Sequence, residues 1–141
     1  MRHELHIKEG VDGIRLGMTR DQVAAQTGPA TRSSTDRDIF GDLHVHYDGV
    51  ARVRAIEVSA SLGGEALFDG VDLLGVDAED ALARVRRFAS VDTDHWEYPM
   101  TCVFPELGLA LWRSCLPADD PDGNDGRRFE SATIEVSSAS R

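Results

Sequence analysis

GIRLGMTRDQVAAQTGP, residues 13–29, contains both the start and the stop of a helix, and its reading decides the fold. Thr19 stands at an N-cap with Gln22 three residues on, the spacing of a capping box in which each side chain satisfies the other's backbone N–H. Met18 and Val23 occupy the two places of a hydrophobic staple around that cap. Gly28 accepts the left-handed conformation of a C-cap and Pro29 cannot continue a helix, so a helix is predicted over 20–27. Eight residues are marginal in isolation, and such a helix must pack on something larger.

A related run, GVDLLGVDAEDALARV, returns at residues 70–85. Asp77 takes the place of Thr19, and Val76 with Ala81 repeats the staple. The helix is predicted over 78–89, with Leu82, Val85, Phe88 and Ala89 on one face. Between the two helices, DIF leads through Gly41-Asp42 into LHVHYDG. There Leu43, Val45 and Tyr47 alternate with His44, His46 and Asp48, the period of a strand with one buried face. Asp48-Gly49 signals a hairpin turn into a strand over about 51–60. Val53 is out of phase with Ile56 and Val58, which predicts a bulge near Arg54. Residues 61–66, SLGGEA, read as a joint.

In the second half, strands are predicted over about 95–104, 107–113 and 128–137. The last carries TIEVSSAS, an echo of AIEVSAS at 55–61. Two echoes in one order imply an α+β fold of two tandem helix-and-hairpin units, 1–64 and 65–141. The expectation is antiparallel strands in continuous or adjoining sheets, with the helices packed on one face.

The 141 residues are 41% hydrophobic and 28% charged, a globular composition, and the formal net charge of −10 disfavours a phosphate backbone as partner. The same charge favours encounter with a basic protein and also keeps a protein in solution. Cys102 and Cys115 form no metal motif, and across a hairpin Cys102 is expected to face a residue near 110, so free thiols are expected. MRHELHIKEG has no apolar leader core and no segment is long and apolar enough to span a membrane. A cytoplasmic location is the expectation, or a secreted one if a leader has been removed.

Candidate chemistry is sparse. His44, His46 and Asp48 are placed on one strand face about 7 Å apart along the strand, donors that suit zinc or another transition ion, or simply the polar face of a half-buried strand. In the loop ADDPDGNDGR, Asp120, Asp122 and Asn124 match the first ligand places of a calcium loop. Asp125 stands where glycine is needed and Ser131 where glutamate is needed, so an acidic connection is expected instead. Trp96, Tyr98, Met100 and Cys102 alternate on the predicted 95–104 strand, with Trp112 next door. They are either the second unit's core or an anchor patch for a partner, and Trp112 is expected to point outward. No nucleophile elbow, phosphate loop, zinc-protease or dinucleotide motif is present.

Gly17-Met18-Thr19, Gln22-Val23 and Gly28-Pro29 resemble the opening of the small outer-membrane lipoproteins of the SmpA/OmlA type. The same unit, doubled in tandem, is similar to the fold of β-lactamase inhibitory protein. FDGVDLLG and LGLALW are similar to stretches of small actinobacterial proteins, a likeness that brings no activity. The resemblance rests on caps and core positions, so it implies a fold and a broad sheet face for protein recognition. The lipidated cysteine of the lipoproteins and the disulfides of the inhibitor have no counterpart here. The functional expectation is therefore a non-enzymatic, cofactor-free protein-binding module, an inhibitor or immunity-type partner of a basic enzyme or toxin. Its contacts would be Trp96, Tyr98, Trp112, His44, His46 and Asp48. The alternative is a metal-binding protein or metal-dependent enzyme built on His44, His46 and Asp48.

Overall fold

The computed structural model describes residues 1–119 and 126–136, and it is α+β: two helices and two sheets with mainly antiparallel pairing. In chain order the elements are β1 (Arg2–His6), β2 (Gly10–Val11), β3 (Ile14–Arg15), α1 (Arg20–Thr27), β4 (Arg32–Ser33), β5 (Arg37–Phe40), β6 (Leu43–Tyr47) and β7 (Val53–Ser59). They continue with β8 (Glu65–Phe68), β9 (Val71–Asp72), α2 (Ala78–Val85), β10 (Thr101–Phe104), β11 (Leu109–Trp112) and β12 (Ser131–Glu135).

Helix α1 begins and ends where its caps predict. Thr19 Oγ1 accepts from Gln22 N, and Gln22 Oε1 accepts from Thr19 N at 2.9 Å. Gly28, at φ 79°, donates its N–H to Ala24 O. Helix α2 differs from expectation at both ends. The Asp77 side chain makes no cap bond, and Ala78 N donates instead to Arg127 O. The regular helix stops at Val85, and Phe88 is not a core residue: it is exposed, with its ring T-shaped to that of Phe68 and the centroids 5.2 Å apart.

The larger sheet has the order β10-β11-β12-β7-β6-β5-β4, each neighbour antiparallel. The central strand β7 and its neighbour β12 are the ones that carry the IEV echo, and Ile56 lies directly opposite Ile134. The smaller sheet has the order β3-β2-β1-β8-β9. Here β1, a strand with no sequence expectation behind it, pairs antiparallel with β2 and parallel with β8. That parallel pair departs from the all-antiparallel expectation for a geometric reason: β2 and β8 run in opposite directions, so a strand between them must be parallel to one.

The inward faces of both sheets form one core with Val23 of α1 and Ala78, Ala81, Leu82 and Val85 of α2. Val45, Ile56, Val58, Leu109, Leu111, Ala132 and Ile134 are sealed from solvent there. Cys102 also faces inward, opposite Leu111, as a free and fully buried thiol, so no bridge joins it to Cys115. Burial pushes its thiol up from the ordinary value.

The predicted strand over 95–104 contracts to Thr101–Phe104. Between Asp92 and Met100 turn hydrogen bonds replace a strand ladder. Tyr98 N donates to His95 O and Met100 N to Glu97 O, the Asp92 carboxylate accepts from Asp94 N, and His95 Nδ1 accepts from Glu97 N. Pro99 has no N–H to offer a ladder. The predicted alternation of Trp96, Tyr98, Met100 and Cys102 on one strand face therefore does not exist. Of the acidic loop, Asp120, Asp122, Asn124 and Asp125 lie outside the described residues.

Candidate functional site

One side of the larger sheet is the core; the other is built by the alternate residues. Because side chains alternate along a strand, the inward Leu43, Val45 and Tyr47 fix His44 and His46 on the outer face. On β7 the phase is set by a bulge. Tyr47 pairs with Val53 but His46 with Ala55, which leaves Arg54 as the extra residue, where the sequence expects it. The register after the bulge puts Glu57, and not Ile56, opposite His44. Beyond Glu57 the face continues through Thr133 on β12 and Ala110 on β11, and Trp112 follows two residues along.

His44, His46 and Glu57 meet at the centre of this face. Glu57 Oε1 lies 3.6 Å from His46 Nε2 and 4.0 Å from His44 Nδ1. His44 Nδ1 is buried and makes no hydrogen bond among the described residues. The adjacent His46 imidazole, then the Ser131 hydroxyl, hold the Glu57 carboxyl below its usual range against the effect of burial, so it is ionised at neutral pH. Asp48 is not part of the group. It lies past the end of β6, where its carboxylate accepts from Val50 N at 2.9 Å and Arg52 N at 3.1 Å and closes the turn. Those backbone donors hold it below its ordinary value. The expectation that His44, His46 and Asp48 share a strand face is thus corrected: Asp48 Oδ1 closes the turn. Among the described residues no group of three His, Cys, Asp or Glu side chains could hold a metal ion.

The aromatic candidates separate. Trp112 is on the outer face of β11, 40% exposed, with Leu109 and Leu111 turned inward. Trp96 is 85% exposed on the turn segment, its ring stacked beside His95. Tyr98 is half-buried against the core. They do not form one strand face.

Two polar clusters escaped the sequence reading. His3 is 2% exposed, with Nδ1 2.7 Å from Asp12 Oδ2 and Nε2 2.8 Å from Asp42 Oδ1, so it ties the smaller sheet to the β5–β6 turn. Burial raises Asp42, but His3 and the Met1 amine outweigh it and hold the carboxyl below its usual range. Both ring nitrogens of His3 are engaged, so it is not placed to act as a general base. It lines the floor of a cleft of about 600 Å³ with Asp12, Gln26, Phe40, Asp42 and Leu62.

In the second cluster, Asp38 accepts from Arg20 Nη2 at 2.9 Å, Ser33 Oγ at 2.7 Å and Tyr47 OH at 2.8 Å. The Arg20 guanidinium lies over the Tyr47 ring, 4.6 Å from its centroid. This network fastens α1 to the sheet. Neither cluster has a local motif, because its members are brought together from segments up to 39 residues apart. No helix among the described residues is long and apolar enough to cross a membrane.

Comparisons with protein-family models, curated proteins and solved structures returned no match.

Proposed function

We propose that the chain is a non-enzymatic protein-binding module that docks a basic partner, an enzyme or toxin it inhibits, on the outer face of the larger sheet. The observation that carries the reading is Trp112, an exposed tryptophan at the end of β11, beside the edge strand β10, on the face of a seven-stranded sheet whose opposite side is the core. Tryptophan is among the residues that dominate binding hot spots. His44, His46 and Glu57 supply the polar part of the same face. Trp96 stands outside the strands, where a large partner can reach it, while Tyr98 and Asp48 contribute at most at the margin. The net charge of −10 steers basic partners inward and works against nucleic acid or an anionic membrane surface.

The fold reading belongs with this proposal. Residues 1–64 and 65–141 are two copies of one unit, with helices on one face, in the manner of the SmpA/OmlA-like unit and its doubled form. Supporting it, β7 and β12 meet through Ile56 and Ile134, and the hairpin turns at Asp12-Gly13 and Asp69-Gly70 share a positive φ of 51° at the aspartate. The compartment follows the partner: cytoplasmic for an immunity-type role, extracellular for an inhibitor of a secreted enzyme.

The test is affinity capture from the native cells and medium with three baits: the wild-type chain, Trp112→Ala, and Arg87→Ala, an exposed residue just past the end of α2 and outside the larger sheet. Support is a stoichiometric basic protein held by wild type and Arg87→Ala, lost by Trp112→Ala, and inhibited when the chain is added back. Equal capture by all three baits, or no stoichiometric partner, overturns the reading.

A further inference from the structure

The cleft of about 600 Å³ floored by His3 is lined by none of the outer-face residues His44, His46, Glu57 and Trp112. Its volume falls within the roughly 300–1,000 Å³ of small-molecule sites. Three parts of the chain close around it: the Asp12-Gly13 turn between β2 and β3, the last turn of α1, and the Gly41-Asp42 turn between β5 and β6. Ile14, Phe40, Leu43 and Leu62 give it apolar walls.

The titratable groups along the cleft are the Met1 amine, His3, Asp12 and Asp42, and no arginine or lysine lines it. Asp42 is already matched by an ammonium: the Met1 amine stands 3.3 Å from its Oδ2 and donates to Gly63 O at 3.0 Å. Asp12 is the second carboxylate. It faces His3 Nδ1 at 2.7 Å and accepts from Glu4 N at 2.8 Å, two contacts that fix its oxygens in place. Its side chain is still 40% exposed, and it has no arginine, lysine or amine partner among the described residues. A cation therefore meets an acceptor that needs no reorganisation. The C-terminal end of α1 adds negative potential at the same cleft, and its last turn carries no basic residue to offset it. Gln26 Oε1, beside Gly13, is a neutral acceptor next to Asp12 on that wall.

We propose that this cleft binds a small organic amine in its protonated form, with the ammonium on the Asp12 carboxylate and an apolar body against Ile14, Phe40 and Leu62. Both aspartates oppose an anion of the same size. A neutral analogue forgoes the charge-assisted bond, which is the stronger kind. The proposal does not rest on protein docking at the outer sheet face.

Titration of the whole chain with 2-phenylethylamine at about pH 7.5, where such an alkylamine is protonated, tests it by calorimetry and amide NMR. 2-Phenylethanol and phenylacetate serve as neutral and anionic probes of similar size. The expected result is one amine per chain with a dissociation constant of about 100 μM or tighter, and uptake of the other two at least roughly tenfold weaker. Asp12→Asn preserves the shape of the side chain and weakens amine uptake by about tenfold or more, whereas Trp112→Ala leaves it unchanged. Shift mapping on the wild-type chain, which depends on no variant's folding, is expected to centre on Asp12, Gly13, Gln26 and Gly41. No uptake at about 5 mM amine, equal uptake of 2-phenylethanol or phenylacetate, or shifts centred elsewhere overturns the assignment. A folded Asp12→Asn that binds the amine as wild type does, or loss of uptake in Trp112→Ala, overturns it as well.

Discussion

Replacing Asp38 by alanine tests whether the network beneath α1 holds the helix to the sheet. Asp38 is 8% exposed and takes hydrogen bonds from Arg20, Ser33 and Tyr47. In Asp38→Ala the Tyr47 hydroxyl, on a residue 3% exposed, loses its acceptor, which costs about 1–3 kcal/mol. The Arg20 guanidinium loses its only paired carboxylate among the described residues but keeps the carbonyls of Ser34, Thr35 and Arg37. At 32% exposure it can be partly rehydrated, so its share is nearer the one-kilocalorie end than that of a fully buried pair. The expected loss is about 3 kcal/mol, which for a chain of this length lowers the melting temperature by roughly 10 °C.

Tyr47→Phe removes one donor and leaves Asp38 bonded to Arg20 and Ser33, so it costs only about 1 kcal/mol. The pH dependence has a definite sign. Burial raises Asp38, but Arg20, Ser33 and Tyr47 together hold its folded value below the ordinary carboxyl range. Its contribution is complete above the unfolded value near about 3.9 and fades as pH falls through the lower folded value. Urea melts at pH 7 and at successively lower pH, for wild type and both variants, measure this. A loss under 1 kcal/mol for Asp38→Ala at pH 7, or a gap from wild type that stays constant through the acid range, refutes the network as the anchor of α1.

Two other perturbations follow from the same geometry. His3→Leu fills the site with apolar volume but leaves Asp42, 8% exposed, facing it, for a cost of about 2–3 kcal/mol. Hydrogen exchange would then rise first in β1, and unchanged protection there would count against the His3 tie. Deleting Arg54 removes the bulge residue while leaving Tyr47 opposite Val53 and His44 opposite Glu57, so the chain should fold with a loss of about 1 kcal/mol or less. Deleting Ile56 instead also absorbs the bulge, with Arg54 opposite His46 and Ala55 opposite Val45, but it removes a sealed core side chain and should cost about 2–5 kcal/mol, which urea melts separate from the tolerated deletion.

Much of the architecture is legible in short stretches because it is set by local chemistry. The Thr19–Gln22 box, the Gly28 stop and the alternation of Leu43, Val45 and Tyr47 each act within a few residues, and each appears where the sequence places it. The outward Trp112 follows from the same alternation on β11. Where local signals compete, the sequence misleads: residues 95–100 alternate like a strand, yet turn hydrogen bonds and Pro99 take the backbone. Phe88 has the helical period of a core residue, yet the regular helix ends at Val85, before it.

The sequence by itself determined the caps, the strand phases and the presence of a bulge near Arg54. Only the tertiary structure decided which side chains meet. A one-residue bulge changes which neighbour stands opposite His44, from the apolar Ile56 to the ionised Glu57, while turn closure takes Asp48 away. His3, Asp12 and Asp42 are likewise assembled by sheet order, since β1 enters between two hairpins far apart in the chain. Period and capping are properties of neighbours in sequence, whereas register and long-range pairing follow from burying one face of each sheet in a common core.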